Sequence, residues 1–180
     1  SIPLMMGSRE RPTISADEKM VPPVSHGVKL MSIGFLLDGD QPVIWRGPMI
    51  MKTIQQFFGS VEWGELDFLL VDLPPGTGDV ALSMAQSVPL AGALVVTTPQ
   101  GVSVSDVRKA VAMFRQLNIP LLGVVENMSH FVCPHCGETT EIFGRGGGER
   151  FARDHGLEML GQVPIDVTVR QGGDVGIPAV

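Results

Sequence analysis

Cysteine is nearly absent, with two in 180 residues. Two thiols are too few for a disulfide framework, and these are too closely spaced for an ordinary structural bridge. A reducing compartment is the expectation. Charge is sparse as well. Asp, Glu, Lys and Arg make up 18% against 44% apolar residues, which excludes intrinsic disorder, whose signature is the reverse. Basic residues are the minority, 13 against 19 acidic, for a net charge of −6. That balance argues against a nucleic-acid partner read through a broad basic surface. Val80 to Ser105 carries no charge at all, but Gln86, Pro89, Gly92, Pro99 and Gln100 interrupt it. A buried helix–turn–strand passage fits better than a membrane span. The N-terminal SIPLMMGSRERPT lacks the basic and apolar regions of a secretory signal. It also lacks an initiator methionine, so the expectation is a chain that starts inside something longer.

What is present is a regular alternation. Strands are expected at Lys29–Leu37, Asp67–Leu73, Ala93–Thr98, Leu121–Glu126 and Leu157–Val163. Helices are expected at Pro48–Phe58, Asp79–Val88, Ser103–Leu117 and Glu149–His155. The clearest is the third, with Val104, Val107, Ala110, Val111, Phe114 and Leu117 on one face. Asp79 is placed to cap the second. Strands apolar throughout, alternating with helices, indicate an α/β fold with a parallel sheet and helices on both faces. Gly7 to Val28 reads as a long irregular segment. In such sheets ligands bind beyond the carboxyl ends of the strands.

The end of the second strand is the most distinctive. LLVDLPPGTGD, Leu69 to Asp79, closes an apolar run with an acid. Asp72 there is placed as a Walker B carboxylate for Mg²⁺, since a hard cation wants oxygen ligands. Pro74, Pro75, Gly76, Thr77 and Gly78 follow as a turn resembling a switch II loop, whose glycines let the backbone approach a phosphate. A βα turn capped by Asp79 is the plain alternative. Thr97-Thr98-Pro99-Gln100, Glu126-Asn127-Met128 and Pro164-Ile165-Asp166 are polar ends of the other strands. Gly144-Arg145-Gly146-Gly147-Gly148 has the look of a phosphate loop. It follows no buried strand and no Gly-Lys-Ser/Thr ends it, so it is set aside.

Cys133-Pro134-His135-Cys136-Gly137 leaves several chemistries open. A redox pair needs its first thiol at a helix N-terminus, and Gly137-Glu138-Thr139-Thr140-Glu141 is poor helix material. A metal knuckle suits the spacing better, in a loop at about 128–143. Two sulfurs are half of a tetrahedral zinc or iron–sulfur site. His130 and His135 could complete a zinc site, a second chain could supply the other pair, or the thiols could stay unmetallated.

Together VDLPPGTGD, VVTTPQ, VVENMSHFVCPHCGE and FGRGGGERFA resemble the Mrp/ApbC family of deviant-Walker P-loop ATPases, the iron–sulfur cluster carriers. IPLMMG and WRGPM fit the earlier part, so the resemblance covers essentially the whole chain. It implies a MinD/Mrp-like P-loop NTPase fold and a homodimer that binds ATP and Mg²⁺. A [4Fe–4S] cluster would bridge the two chains and pass to apo iron–sulfur proteins, in the cytoplasm or an organelle matrix, with no membrane or nucleic-acid partner. By position it implies Asp72 as the Walker B acid and Gly76–Asp79 as switch II. Asn127 would lie near the adenine, the loop at Pro164 would border the base, and Cys133 and Cys136 would hold the cluster. The family's two-lysine Walker A loop and switch I aspartate do not occur in these residues. The resemblance thus implies a partial domain over 1–180, truncated at the N-terminus and unable to hydrolyse ATP. Two other readings remain: a zinc-knuckle scaffold, and a partitioning or positioning ATPase acting on DNA or membrane.

Overall fold

A computed structural model describes residues 1–36, 47–73 and 79–179. They form two compact units, one of Ser1–Asp72 with Val167–Val180 and one of Leu73–Asp166.

The first unit has little regular structure. A short helix, Ile2–Met5 (α1), precedes two minimal antiparallel pairs: Thr13–Ile14 (β1) with Met20–Val21 (β2), and Val24–Ser25 (β3) with Val28–Lys29 (β4). A 3₁₀ turn at Ile33–Leu36 and a helix at Gly47–Gly59 (α2) follow. A C-terminal helix, Val167–Val175 (α6), packs on α1. Leu30, Phe35 and Val61 of this unit are buried, as are Pro22 and Pro23, and a bridge joins Met20 to Val61. Two sequence expectations fail here. Lys29–Leu37 is not a strand: its first residue closes a hairpin and 33–36 is 3₁₀, while Leu37 lies outside the described residues. Asp67–Leu73 is not a strand either. An isolated strand is stable only when a ladder partner and a covering layer offset its ordering entropy. This run has no ladder among the described residues, and Phe68 is 84% and Leu70 90% exposed.

The second unit carries the sheet. After a helix at Asp79–Ser87 (α3), strand Ala93–Thr97 (β5) is followed by helix Gly101–Gln116 (α4) and the twelve-residue strand Leu121–Val132 (β6). Then come Thr139–Thr140 (β7), helix Gly147–Asp154 (α5) and strand Met159–Ile165 (β8). β5 and β8 flank β6, both parallel to it, with Val95 opposite Val124 and Val124 opposite Met159. β7 returns antiparallel, with Phe131 opposite Thr140. Val95, Val111, Val124, Phe151 and Ala152 form the core, with Val104, Val107, Leu121, Leu157 and Met159 packed around them. The α/β alternation expected from sequence is present, and each helix of this unit falls within two residues of its expected start. β6 runs six residues past its expected end, into the segment that was read as a metal loop.

Candidate functional site

The extension of β6 puts the cysteines at the tip of a hairpin. Val132 ends the strand, and Cys133 turns the chain: its N–H donates to the Glu138 carbonyl at 2.9 Å, and the Gly137 N–H donates back to the Cys133 carbonyl at 2.8 Å. Gly137 has φ of +72°, a left-handed conformation that a Cβ disfavours. β7 then pairs back onto Phe131 and Val132. Cys133 is half-buried, Cys136 is exposed, and both are free thiols. The Cys133 thiol is held below the usual thiol range. The Cys136 and His135 backbone amides, and then the Cys136 side chain, hydrogen-bond its sulfur, while slight burial opposes them. Amide donors aimed at one sulfur stabilise the thiolate, the form that binds metal. This corrects the redox alternative, because Cys133 follows a strand and opens no helix.

Among the described residues no group of three or more His, Cys, Asp or Glu could hold a metal ion. The His130 and His135 completion of a zinc site is therefore not assembled. His130 Nδ1 instead lies 2.9 Å from the Ser129 hydroxyl. What the hairpin presents is a pair of free thiols.

Of the residues expected near a nucleotide, the sheet brings two together. Asn127 lies opposite Val163 in the β6–β8 ladder, one position from Pro164 on the neighbouring strand. Its side-chain oxygen accepts the Met128 N–H at 2.9 Å, and Met128 has φ of +54°. The β6–β8 register shifts between Asn127 and Phe131, a bulge that faces Pro164. Proline has no N–H to give a ladder, which suits a bulge. Pro164 thus lies within β8 rather than after it. Asp72 is exposed in irregular chain at the end of the first unit, so it does not close a strand. Pro74, Gly76, Thr77 and Gly78 lie outside the described residues. Asp79 opens α3, but its side chain, and with it the proposed cap, also lies outside them. Thr97 and Thr98 are engaged locally: the Ser103 hydroxyl lies 3.0 Å from Thr97 Oγ1 and accepts the Thr98 N–H at 3.2 Å.

Glu126, expected only as the polar end of a strand, lies inside β6 and is 1% exposed. Its carboxylate accepts the Gly148 N–H at 2.6 Å and the Gln162 side-chain amide at 3.1 Å. The overlooked signal was an acid inside the apolar run LLGVVE, followed by a glycine-rich helix start. Those glycines are closely packed. A Cβ on Gly147 would meet the Pro99 carbonyl, and one on Gly148 would meet Glu126. Beneath the hairpin, Glu126, Ser129, His130, Thr139, Arg145 and Gln162 help line a polar cavity of about 190 Å³.

A comparison with family models matches residues 1–180 to the ParA group's NUBPL iron-transfer P-loop NTPases. The chain belongs to this family. Its relatives include the "Iron-sulfur protein required for NADH dehydrogenase, mitochondrial" of Arabidopsis thaliana, 46% identical over the whole chain and 58% of the relative. An "Iron-sulfur cluster carrier protein" of Aquifex aeolicus is 50% identical, again over the whole chain and half of the relative. This member thus spans about half to under two-thirds of the curated relatives' length. Among solved structures, a nucleotide-binding protein in complex with ADP from Archaeoglobus fulgidus matches at a TM-score of 0.83 and 39% identity, covering 98% of this chain and 69% of that one. The septum site-determining protein MinD of Pyrococcus horikoshii matches at 0.60 and 18% identity, over 98% of this chain and 68% of that one, which speaks to the fold. The resemblance to iron–sulfur carriers and the P-loop NTPase class are both confirmed. No helix among the described residues is long and apolar enough to cross a membrane.

Proposed function

We propose that this chain is the cluster-bearing part of an iron–sulfur carrier. Cys133 and Cys136 would supply half of the thiolates for a [4Fe–4S] cluster, the same pair of a second copy would supply the rest, and the cluster would pass to apo iron–sulfur proteins. The observation that carries this reading is the incomplete donor set. Two thiols sit at an exposed hairpin tip, one already biased toward thiolate by backbone amides, with no third ligand gathered around them among the described residues. A set of two is completed most economically by a twofold axis, because an isologous contact brings the same patch twice. Relatives named as cluster carriers support the cargo.

Asn127 and Pro164 would border the base of a bound adenine nucleotide. Asp72 with Mg²⁺, and Pro74, Gly76, Thr77, Gly78 and Asp79 as a switch loop, would attend its phosphates. β6 joins the two functions: it carries Asn127 and runs directly into Cys133. The setting would be the cytoplasm or an organelle matrix, where thiols stay reduced.

Transfer is the test. The chain is loaded anaerobically with cluster and mixed with an apo-dehydratase whose activity needs [4Fe–4S]. Acceptor activity should rise with the loaded chain and not with the Cys133→Ala chain. Equal activation by free iron and sulfide would overturn the carrier role. A loaded chain that holds one zinc per monomer and activates nothing would favour the zinc-knuckle scaffold.

A further inference from the structure

The hydrogen bond from Gly148 to Glu126 spans 22 residues of sequence. Everything between those two residues is one excursion from the sheet: the bulged half of β6, the cysteine turn, β7 and the loop into α5. Its outgoing limb meets β8 at two separated ladder positions, Asn127 opposite Val163 and Phe131 opposite Ile165. The β6–β8 ladder is interrupted between Asn127 and Phe131, opposite a proline, and across the gap the Ser129 hydroxyl reaches the Val163 carbonyl at 3.2 Å. Its return limb has only the two residues of β7 in a ladder. The base of the excursion is closed by Glu126.

That closure is built for strength. The bond is 2.6 Å long, ends on a 1%-exposed carboxylate and comes from the first turn of α5. The first-turn N–H groups of a helix have no carbonyl partner of their own, and a buried one left without an acceptor is costly. Gln162 of β8 holds the other oxygen, so one carboxylate ties together β6, β8 and α5. The approach is close enough that a Cβ on Gly148 would lie 3.0 Å from the Glu126 Cβ. Neither cysteine touches Glu126. Their common base does.

We propose that Glu126 is a positioning residue for the two-cysteine site: by closing the base of the 22-residue excursion, it fixes the hairpin on which Cys133 and Cys136 must be held to share a metal. This deepens the reading of the cysteines as metal ligands and rests on it. Opening the base leaves the thiols in place chemically but lengthens the free segment that must be ordered when they bind, and the entropy of that ordering comes out of the affinity.

The probe is Co²⁺ added to the reduced chain, read by the sulfur-to-cobalt charge-transfer band and the ligand-field bands of thiolate coordination. The variants are Glu126→Gln and Glu126→Ala, titrated at a temperature where circular dichroism reports each folded. Outer residues that orient a metal site typically contribute about 10- to 100-fold in affinity. Glu126→Ala should raise the half-saturating Co²⁺ concentration about tenfold and weaken the ligand-field bands. Glu126→Gln keeps the shape and an oxygen acceptor for Gly148 but puts an amide donor where the Gln162 amide now finds an acceptor, and should fall between it and the parent. Arg170→Gln, which removes only an exposed pair with Asp174, should titrate like the parent. If Glu126→Ala does not fold, Glu126→Gln decides. Parent-like half-saturation and spectra in the folded glutamate variants, even with a lowered melting temperature, would overturn the proposal and leave the cysteine reading standing. No thiolate band from the parent chain would overturn both.

Discussion

Gly147 lies against the carbonyl of Pro99: a Cβ at that position would come within 2.1 Å of the oxygen. The N-terminus of α5 is thereby seated on the loop between β5 and α4, with no room for a side chain. Both sides of the contact are backbone, so neither can swing away. Gly147→Ala should therefore destabilise the chain by about 2 kcal/mol, the scale of an overpacked core site, and lower the melting temperature by roughly 5 °C. Gly161→Ala, where nothing lies within 4 Å of the added carbon, should be close to neutral. Thermal unfolding of the two variants checks the contrast.

The lowered Cys133 thiol sets a pH dependence. Its sulfur is stabilised as thiolate by the Cys136 and His135 amides and the Cys136 side chain. Because the folded value is depressed, ionisation favours the fold above the ordinary thiol range, and that contribution is lost as pH falls through the folded value. Reactivity follows the same direction. In the metal-free chain, iodoacetamide should label Cys133 with a pH midpoint below that of a free cysteine peptide. Mass-spectrometric mapping of labelling against pH reads it, and a midpoint at or above the peptide's would contradict the knuckle geometry.

Exposure separates two phenylalanines that look equivalent in the sequence. Phe68 is 84% exposed and Phe151 only 2%. Phe68→Ser should change stability by less than about 0.5 kcal/mol, whereas Phe151→Ala should cost about 3–5 kcal/mol by removing the centre of the second unit. Urea unfolding followed by far-ultraviolet circular dichroism, which reports on the helices of both units, measures both.

These 180 residues contain no glycine-rich loop ending in Lys-Ser or Lys-Thr. Phosphoryl transfer in P-loop enzymes depends on that loop's amides and lysine. Phosphate release from Mg²⁺-ATP by this chain should stay at background, and turnover abolished by Asp72→Ala would contradict this.

Much of the second unit was legible because its signals are local. Helix α4 follows from the apolar positions Val104, Val107, Val111 and Phe114, and β5 from an apolar run between breaks. The C-x₂-C spacing pointed to a tight turn that brings two thiols together, and the hairpin tip carries both. The length of β6 was hidden, since Asn127 to His130 is polar and bulged and gives no period-two pattern. Glu126 was hidden for a related reason: an acid in a strand reads as an end, and only the distant Gly148 shows it to be interior. The Asp67–Leu73 run misled in the opposite direction. Its composition is that of a buried strand, but composition supplies no partner, and Leu70 stands 90% exposed. Helix α6 was missed because Val167, Thr168 and Val169 favour strand and Gly172-Gly173 weakens helix, whereas its packing on α1 decides the outcome.

The central claim is that Cys133 and Cys136 form one half of a site completed by a second copy. Anaerobic reconstitution with iron and sulfide, followed by size-exclusion chromatography with iron and sulfide counted on each peak, tests it most directly. A [4Fe–4S] chromophore should elute at twice the chain mass, one cluster per two chains, with both the colour and the shift lost in Cys133→Ala. A chromophore or a tightly held metal eluting with the single chain, or colour that survives Cys133→Ala, would contradict it.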